Sequence, residues 1–466
     1  MRSASKTIQP HLEKDERFVH IAQLMRGIME DRMSAVSNQS GIVYRNQKKR
    51  YPWWVKSVDE PTIEIDLEKT TPPSIYKSTA LVQRFLHRKD YKEFIKRFPN
   101  IGAKRHLGVD TLLKTYDHRE ALVKKMVQEG IPGSTQKDLA LAYAAYSLYY
   151  DSYIPLEELT ERTSFENMTE KAGVQPWQGT PEEASNIIEK AARVLGAGQI
   201  GITTVDPNYM YPLSEGGKNA KPLPPAMKYV IMILTPWLPE GTRRADTGMG
   251  FMANRVHTFL EQITSFGLRN FIKGLGYSYT VLHAPWPAFA VISGLGELSR
   301  VNRVVSPIYG AGINLYGIVT DLPLAIDKPI DFGLQTFCKK CKRCAEICPV
   351  GVVSKKDEPS WEVEGEWNTP GKKVFFEKSK ACIAYQIKNH SSCSLCMAVC
   401  PWTKQDISVI HRVAKPLSAK FPWAASLMVM MDKIFGYGPT KDPKKLEEWW
   451  DLDLPAFGID TTRKRH

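Results

Sequence analysis

Cys338-Lys339-Lys340-Cys341-Lys342-Arg343-Cys344-Ala345-Glu346-Ile347-Cys348-Pro349 is the stretch on which the reading of the whole chain turns. Its thiols follow the pattern C-x2-C-x2-C-x3-C-P. Three closely spaced cysteines let their thiolates converge from one tight loop on three corners of an iron–sulfur cubane. The fourth, just ahead of the proline, points away toward a second centre. That centre has its own ligands, because Cys382, Cys393, Cys396 and Cys400, followed by Pro401, repeat the pattern with a ten-residue first gap. The spacing implies two 4Fe–4S clusters with crossed ligation. Cys338, Cys341, Cys344 and Cys400 hold the first, and Cys382, Cys393, Cys396 and Cys348 hold the second. Paired C-x2-C motifs also bind zinc, but zinc requires neither the third cysteine at x2 nor the C-x3-C-P ending.

Working outward, all eight cysteines lie in this one segment and none lies elsewhere. A disulfide framework would be scattered through a smaller secreted chain. The chain has 466 residues, more than one ordinary core holds, so two or three packed units are expected. With 43% apolar and 24% charged residues it reads as globular. No apolar run approaches the roughly 20 residues that span a bilayer. The first residues lack the hydrophobic core of a signal peptide. This leaves two expectations: the outer face of the cytoplasmic membrane if a leader was removed, otherwise the cytoplasm. The formal net charge is +13, spread along the chain, which reads as a solvated basic surface. A membrane face or an acidic redox donor is the functional alternative. The lysines and Arg343 around the first cysteine motif would raise the potential of its cluster.

The expected units are 1–165, packing on the core; 166–330, a ligand-binding domain; 331–412, the double-cluster domain; and 413–466, a polar tail wrapping the body. In the first, Tyr91–Phe98 and Arg119–Glu129 carry helical patterning, and Leu139–Tyr150 is apolar enough for a buried helix. Thr180-Pro181 with Glu183 is a capping-box start, and Ala184, Ile187, Ile188, Ala191, Val194 and Leu195 follow at helical spacing. Strands are expected at Gln199–Val205 and Tyr229–Leu234, with a long helix over Met252–Lys273. Helices alternating with short apolar strands suggest an α/β layer. From Gly294 to Pro329 the Gly, Ser, Asn and Pro content suits loops around a ligand. Trp361 and Trp367, in the insert between the motifs, read as packing residues, and Trp449 and Trp450 as anchors for the tail. Two clusters move electrons without defining a reaction, so the long stretch before Cys338 is expected to be catalytic.

Beyond the cysteines, the sequence resembles the corrinoid-dependent reductive dehalogenases. The match is carried by Thr320-Asp321-Leu322-Pro323, by Asp327-Lys328-Pro329-Ile330-Asp331-Phe332-Gly333 leading into Cys338, and by Gly294-Leu295-Gly296-Glu297-Leu298-Ser299-Arg300. The late Phe435-Gly436-Tyr437-Gly438 adds to it, so the likeness runs from about Trp177 to Gly438. The resemblance implies a mixed fold, α+β or α/β: a nitroreductase-like cobalamin-binding domain with a bacterial-ferredoxin-like domain beside it. It implies two 4Fe–4S clusters and a base-off corrinoid, with electrons reaching cobalt and cleaving a carbon–halogen bond. Gly294, Leu295, Gly296, Ser299, Arg300, Thr258 and Gly310 become candidate corrinoid contacts.

This sequence departs from the family at the proton donor. The family's tyrosine falls at Thr258, and the basic residue that usually accompanies it falls at Asn314. Threonine alone is too weak an acid. His257, His283, Tyr316 and Asn314 are therefore the candidate catalytic residues, with Tyr309 nearby. His257 is expected on a different helix face, and Tyr309 and Tyr316 on a loop. The partners implied are a small halogenated organic substrate, a low-potential electron donor and a small membrane-anchor protein. Nucleic acid is not expected, and the oligomeric state stays open, a homodimer among its outcomes. Three rivals stand beside this reading. One is an epoxyqueuosine-reductase-like enzyme acting on tRNA, one an electron-transfer subunit without chemistry of its own, and one a corrinoid carrier that has lost activity.

Overall fold

The computed structural model describes residues 42–45, 50–69, 118, 121–141, 175–206, 224–282, 285–365, 367–389, 393–403 and 409–459. The expected helix Tyr91–Phe98 and most of Leu139–Tyr150 lie outside these residues.

Helix α1, Pro181–Val194, opens where the capping box requires. The N–H of Glu183 donates to Thr180 Oγ1 at 3.2 Å, and the Glu183 carboxylate accepts the N–H of Thr180 at 2.8 Å. Strand β1 is Gln199–Thr204 and β2 is Tyr229–Pro236. Helix α2 runs from Gly248 to Gly274, four residues earlier than the sequence suggested, with Thr247 as its cap. The glycine-rich first turn disguised that start. Strand β3, Tyr279–Val281, helix α3, Trp286–Ile292, and strand β4, Ile313–Thr320, complete the unit.

The sheet order is β1-β2-β4-β3, with every pairing antiparallel. It is thus the α+β form of the expected fold rather than a parallel layer. Both faces are covered, and β2 shows how. Ile231 and Ile233 pack with Ile188 of α1 and Leu268 and Ile272 of α2, while Val230, Met232 and Leu234 pack with Phe289 and Val291 of α3. Period-two alternation in an all-apolar strand is what a sheet buried between helices demands.

β4 corrects the loop expected from Gly294 to Pro329. It is a central strand, and Asn314 and Tyr316 sit on it, opposite Thr235 and Ile233 of β2. Its Asn and Gly content hid it, because those residues are uncommon in strands.

The cysteine unit contributes α4, Leu334–Lys340; α5, Arg343–Ile347; α6, Ser379–Lys388; and α7, Leu395–Ala398. Trp402 seals it against the sheet domain, its ring 5.0 Å from Phe332, 5.7 Å from Phe337 and 6.0 Å from Trp54. The expected polar tail begins instead with two helices, α8, Val409–Lys420, and α9, Pro422–Ile434, the second packing Ala425 and Met428 into the same core. Trp449 is buried beside Leu238, Met249 and Phe251, and Trp450 donates to Asp138 at 2.8 Å. No helix among the described residues is long and apolar enough to cross a membrane.

Candidate iron–sulfur and cofactor site

The eight thiols fall into two neighbouring sets. Cys338 lies in the field of Cys400 and Cys341, and Cys344 in that of Cys338, Cys400, Cys396 and Cys341. Across the seam Cys382 feels Cys348, Cys393 feels Cys396 and Cys382, and Cys396 feels Cys382 and Cys348. We propose for these thiols the crossed ligation that the spacing implies. Burial pushes the Cys396 thiol up to about 11 and those of Cys393 and Cys400 up to about 12. A buried thiolate without a counter-charge is costly, so the sets suit a cationic iron core that takes thiolates as ligands. They fit two cubanes.

The glycine-rich loop serves the first set. Arg300, 1% exposed, donates from Nε and Nη2 to the carbonyl oxygen of Cys338 at 3.1 and 2.7 Å. Its Nη1 reaches the carbonyls of Ser354 and Lys356 at 3.0 and 2.6 Å. Ser299 and Arg300 line the small hollow around Cys338, Cys341, Cys344 and Cys400. Leu295 is in the core, and Gly296 lies so close to the Val305 carbonyl that a Cβ would meet it at 2.2 Å. Gly294 has a positive φ of 71° at the turn ending α3, and its carbonyl accepts the Tyr51 hydroxyl. Gly310 abuts the backbone of Trp402 and Thr403. None of Gly294, Leu295, Gly296, Ser299, Arg300 and Gly310 is among the residues lining the large cavity. In this structure they build the seam and brace the first cysteine loop.

The large cavity, about 430 Å³, opens on the second set. Cys348, Cys382, Cys393 and Cys396 form one wall, and Asn254, Arg255, His257, Thr258 and Glu261 of α2 the other. Asn254, Thr258 and Glu261 recur at i, i+4 and i+7, so helical geometry puts them on one face. Trp237, Trp286, Asn314, Asn302, Arg303 and Gln386 fill the remaining sides. Carboxamides and guanidiniums around apolar walls suit a large planar ligand with carboxamide arms and a phosphate, which is the chemistry of a corrinoid.

The candidate residues separate accordingly. Thr258, His257 and Asn314 meet at the cavity. His257 therefore shares a wall with Thr258, against the expectation that it would face elsewhere. Its Nδ1 donates to Ala253 O at 3.1 Å, its ring stacks on Trp237 at 4.3 Å, and burial pushes it down to about 3. Tyr316 is not among the lining residues; its ring lies 5.3 Å from Trp286. Tyr309 donates to Gly198 O at 3.1 Å and packs on the core. His283 lies outside the described residues. Sequence reasoning missed Glu261, Arg303 and Tyr385. Arg303 reaches toward Cys382, Cys396 and His257 electrostatically. Tyr385 donates to Asp246 at 2.6 Å, and burial followed by that carboxylate pushes it up. The spacing from Thr258 was the available signal for Glu261.

Two neighbouring cysteine sets that fit 4Fe–4S clusters, the second opening on a large cavity, suit an iron–sulfur oxidoreductase. Residues 337–403 match the family described as 4Fe-4S double cluster binding domain. Trichloroethene reductive dehalogenase of Dehalococcoides mccartyi is 26% identical across 89% of this chain and 88% of its own. A solved B12-dependent reductive dehalogenase shares the fold at a TM-score of 0.56 and 21% identity, over 87% of this chain and 52% of that one. The chain thus spans about half the length of that structure. Epoxyqueuosine reductase of Lactococcus garvieae matches over only 28% of this chain. Over most of its length the chain is similar to reductive dehalogenases, and its cysteine segment matches a 4Fe-4S double cluster binding domain.

Proposed function

We propose that the chain reductively cleaves a carbon–halogen bond of a small organohalide in the cavity between α2 and the second cysteine set. The observation that carries this reading is the shared cavity, which touches both Cys382, Cys393 and Cys396 and the α2 face of Thr258. A bound corrinoid supplies the low-potential cobalt chemistry that iron–sulfur clusters lack. The chain's own residues do the rest. The cysteine sets hand electrons to the cavity, Arg255, Arg303 and the carboxamides hold polar arms, and Trp237, Trp286 and Ile383 keep water out.

Electrons would enter at the first set from a low-potential donor. Lys339 and Lys342 there pair with Glu358 and Asp357, and Lys340 is exposed. A small membrane-anchor protein, and with it the outer face of the cytoplasmic membrane, suits the exposed Trp423, Ile434 and Phe435 of α9 and the turn after it.

The test is anaerobic reconstitution with iron, sulfide and cobalamin, followed by halide release from chloroethenes under reduced viologen. Halide released at one per two electrons is expected. Full loading with no halide from any organohalide would overturn the reading.

A further inference from the structure

We propose that Glu261 is the proton donor of this site, held in place by Asn314; the inference rests on the dehalogenase reading above. Replacing a halogen by hydrogen consumes two electrons and one proton. The carbon–halogen bond breaks, halide leaves, and a new carbon–hydrogen bond takes the proton. The electrons come from an external low-potential donor through the cysteine sets, so the proton has to come from the cavity wall.

The wall offers few acids. Thr258 Oγ1 donates to Asn254 O at 3.0 Å, within its own helix, and an alcohol is a weak acid. His257 is 3% exposed, with Nδ1 committed to Ala253 O and its ring flat on Trp237. Arg255 and Arg303 are guanidiniums, which do not release protons in proteins. Tyr385 is engaged with Asp246. Glu377, the other carboxyl among the described lining residues, accepts the Ser379 hydroxyl at 2.8 Å.

Glu261 differs from all of these. It is 7% exposed, lines the cavity, and stands three residues beyond Thr258 on the same face of α2. Its Oε2 accepts the amide Nδ2–H of Asn314, the second residue of β4. A carboxyl transfers a proton far more readily than a threonine hydroxyl. The Asn314 amide orients the carboxyl toward β4. A rigid strand and a helix thus hold one acid against the cavity, and solvent reprotonates it between turnovers.

Glu261→Gln in the fully loaded protein tests this. Iron, cobalt and the Co(II) EPR signal should match the wild type. Halide release should fall about 100-fold or more, the range for removing a general acid, with Glu261→Asp recovering part. A second readout is independent of turnover. Infrared difference spectra on protein with glutamate labelled in carbon-13 should show a protonated carboxyl band at neutral pH, absent in Glu261→Gln. If Glu261→Gln does not load its cofactors, Asn314→Leu should shift that band while leaving the carboxyl in place. Halide release within a few-fold of an active wild type, or no such band, overturns the proposal. A loaded wild type that releases no halide overturns the dehalogenase reading instead, and the infrared band still decides the state of Glu261.

Discussion

Arg300 and Cys338 are tied by two hydrogen bonds to one oxygen: Nε and Nη2 of the guanidinium both donate to the Cys338 carbonyl, at 3.1 and 2.7 Å. The same side chain reaches Ser354 and Lys356 and lies 4.2 Å over the Phe375 ring. One buried cation therefore joins the glycine-rich loop, the first cysteine loop and the insert. Hydrogen bonds from a charged donor contribute about 1.5–3 kcal/mol each. Arg300→Met should lower unfolding free energy by at least about 3 kcal/mol and destabilise the first cluster. Anaerobic urea unfolding with iron counting checks both, and a loss under about 1 kcal/mol would contradict the account.

Gly310 combines a positive φ of 70° with backbone of Trp402 and Thr403 at 2.4 Å from where a Cβ would stand. Gly310→Ala should therefore cost about 1–3 kcal/mol by overpacking alone, and it should loosen the first cluster's attachment to the sheet. Thermal unfolding of the loaded protein measures the cost. An unchanged midpoint would mean that the seam is not close-packed there.

Glu297 is buried, and its Oε2 accepts the N–H groups of Phe332 and Leu334 at 2.7 and 3.2 Å. Burial pushes its carboxyl up to about 7. A carboxyl raised on folding stabilises the fold in its protonated form. That contribution is complete below the unfolded value near 4.5 and is lost as pH rises through about 7. The wild type should lose on the order of 3 kcal/mol relative to Glu297→Gln between pH 5 and pH 8. Urea midpoints of both proteins across that range decide it, and parallel curves would contradict the shift.

Crossed ligation makes a prediction that sequential ligation does not. Cys348→Ala should spare the first cluster, so about four irons remain, while halide release is lost because the cluster facing the cavity is gone. Cys400→Ala should spare the second. EPR of each reduced variant distinguishes them, and loss of the first cluster's signal in Cys348→Ala would assign the ligands the other way.

The cysteine spacing exposed the double-cluster unit before any fold was known, because ligand geometry is encoded in short intervals. Helix α1 was equally plain from Thr180, Pro181 and Glu183, whose side chains act within one turn. β4 was not legible: Asn314 and Gly317 disguise a strand whose stability comes from pairing with β2 and β3, residues distant in the chain. α8 and α9 were hidden by Pro416 and Pro422, which read as breaks. Glu261 went unnoticed because an acidic residue on a helix is ordinarily solvated. Its spacing from Asn254 and Thr258 puts the three on one helix face, and the packing of α2 against the sheet turns that face inward. In the glycine-rich loop Gly296 permits close approach of backbone to backbone, a packing role that composition alone does not separate from ligand contact.

The most direct test of the central claim is metal content with EPR of the anaerobically reconstituted chain during stepwise reduction. About eight irons and one base-off Co(II) signal per chain, lost on further reduction, are expected. The same iron with no bound cobalt would contradict a corrinoid in the cavity and leave a carrier of electrons.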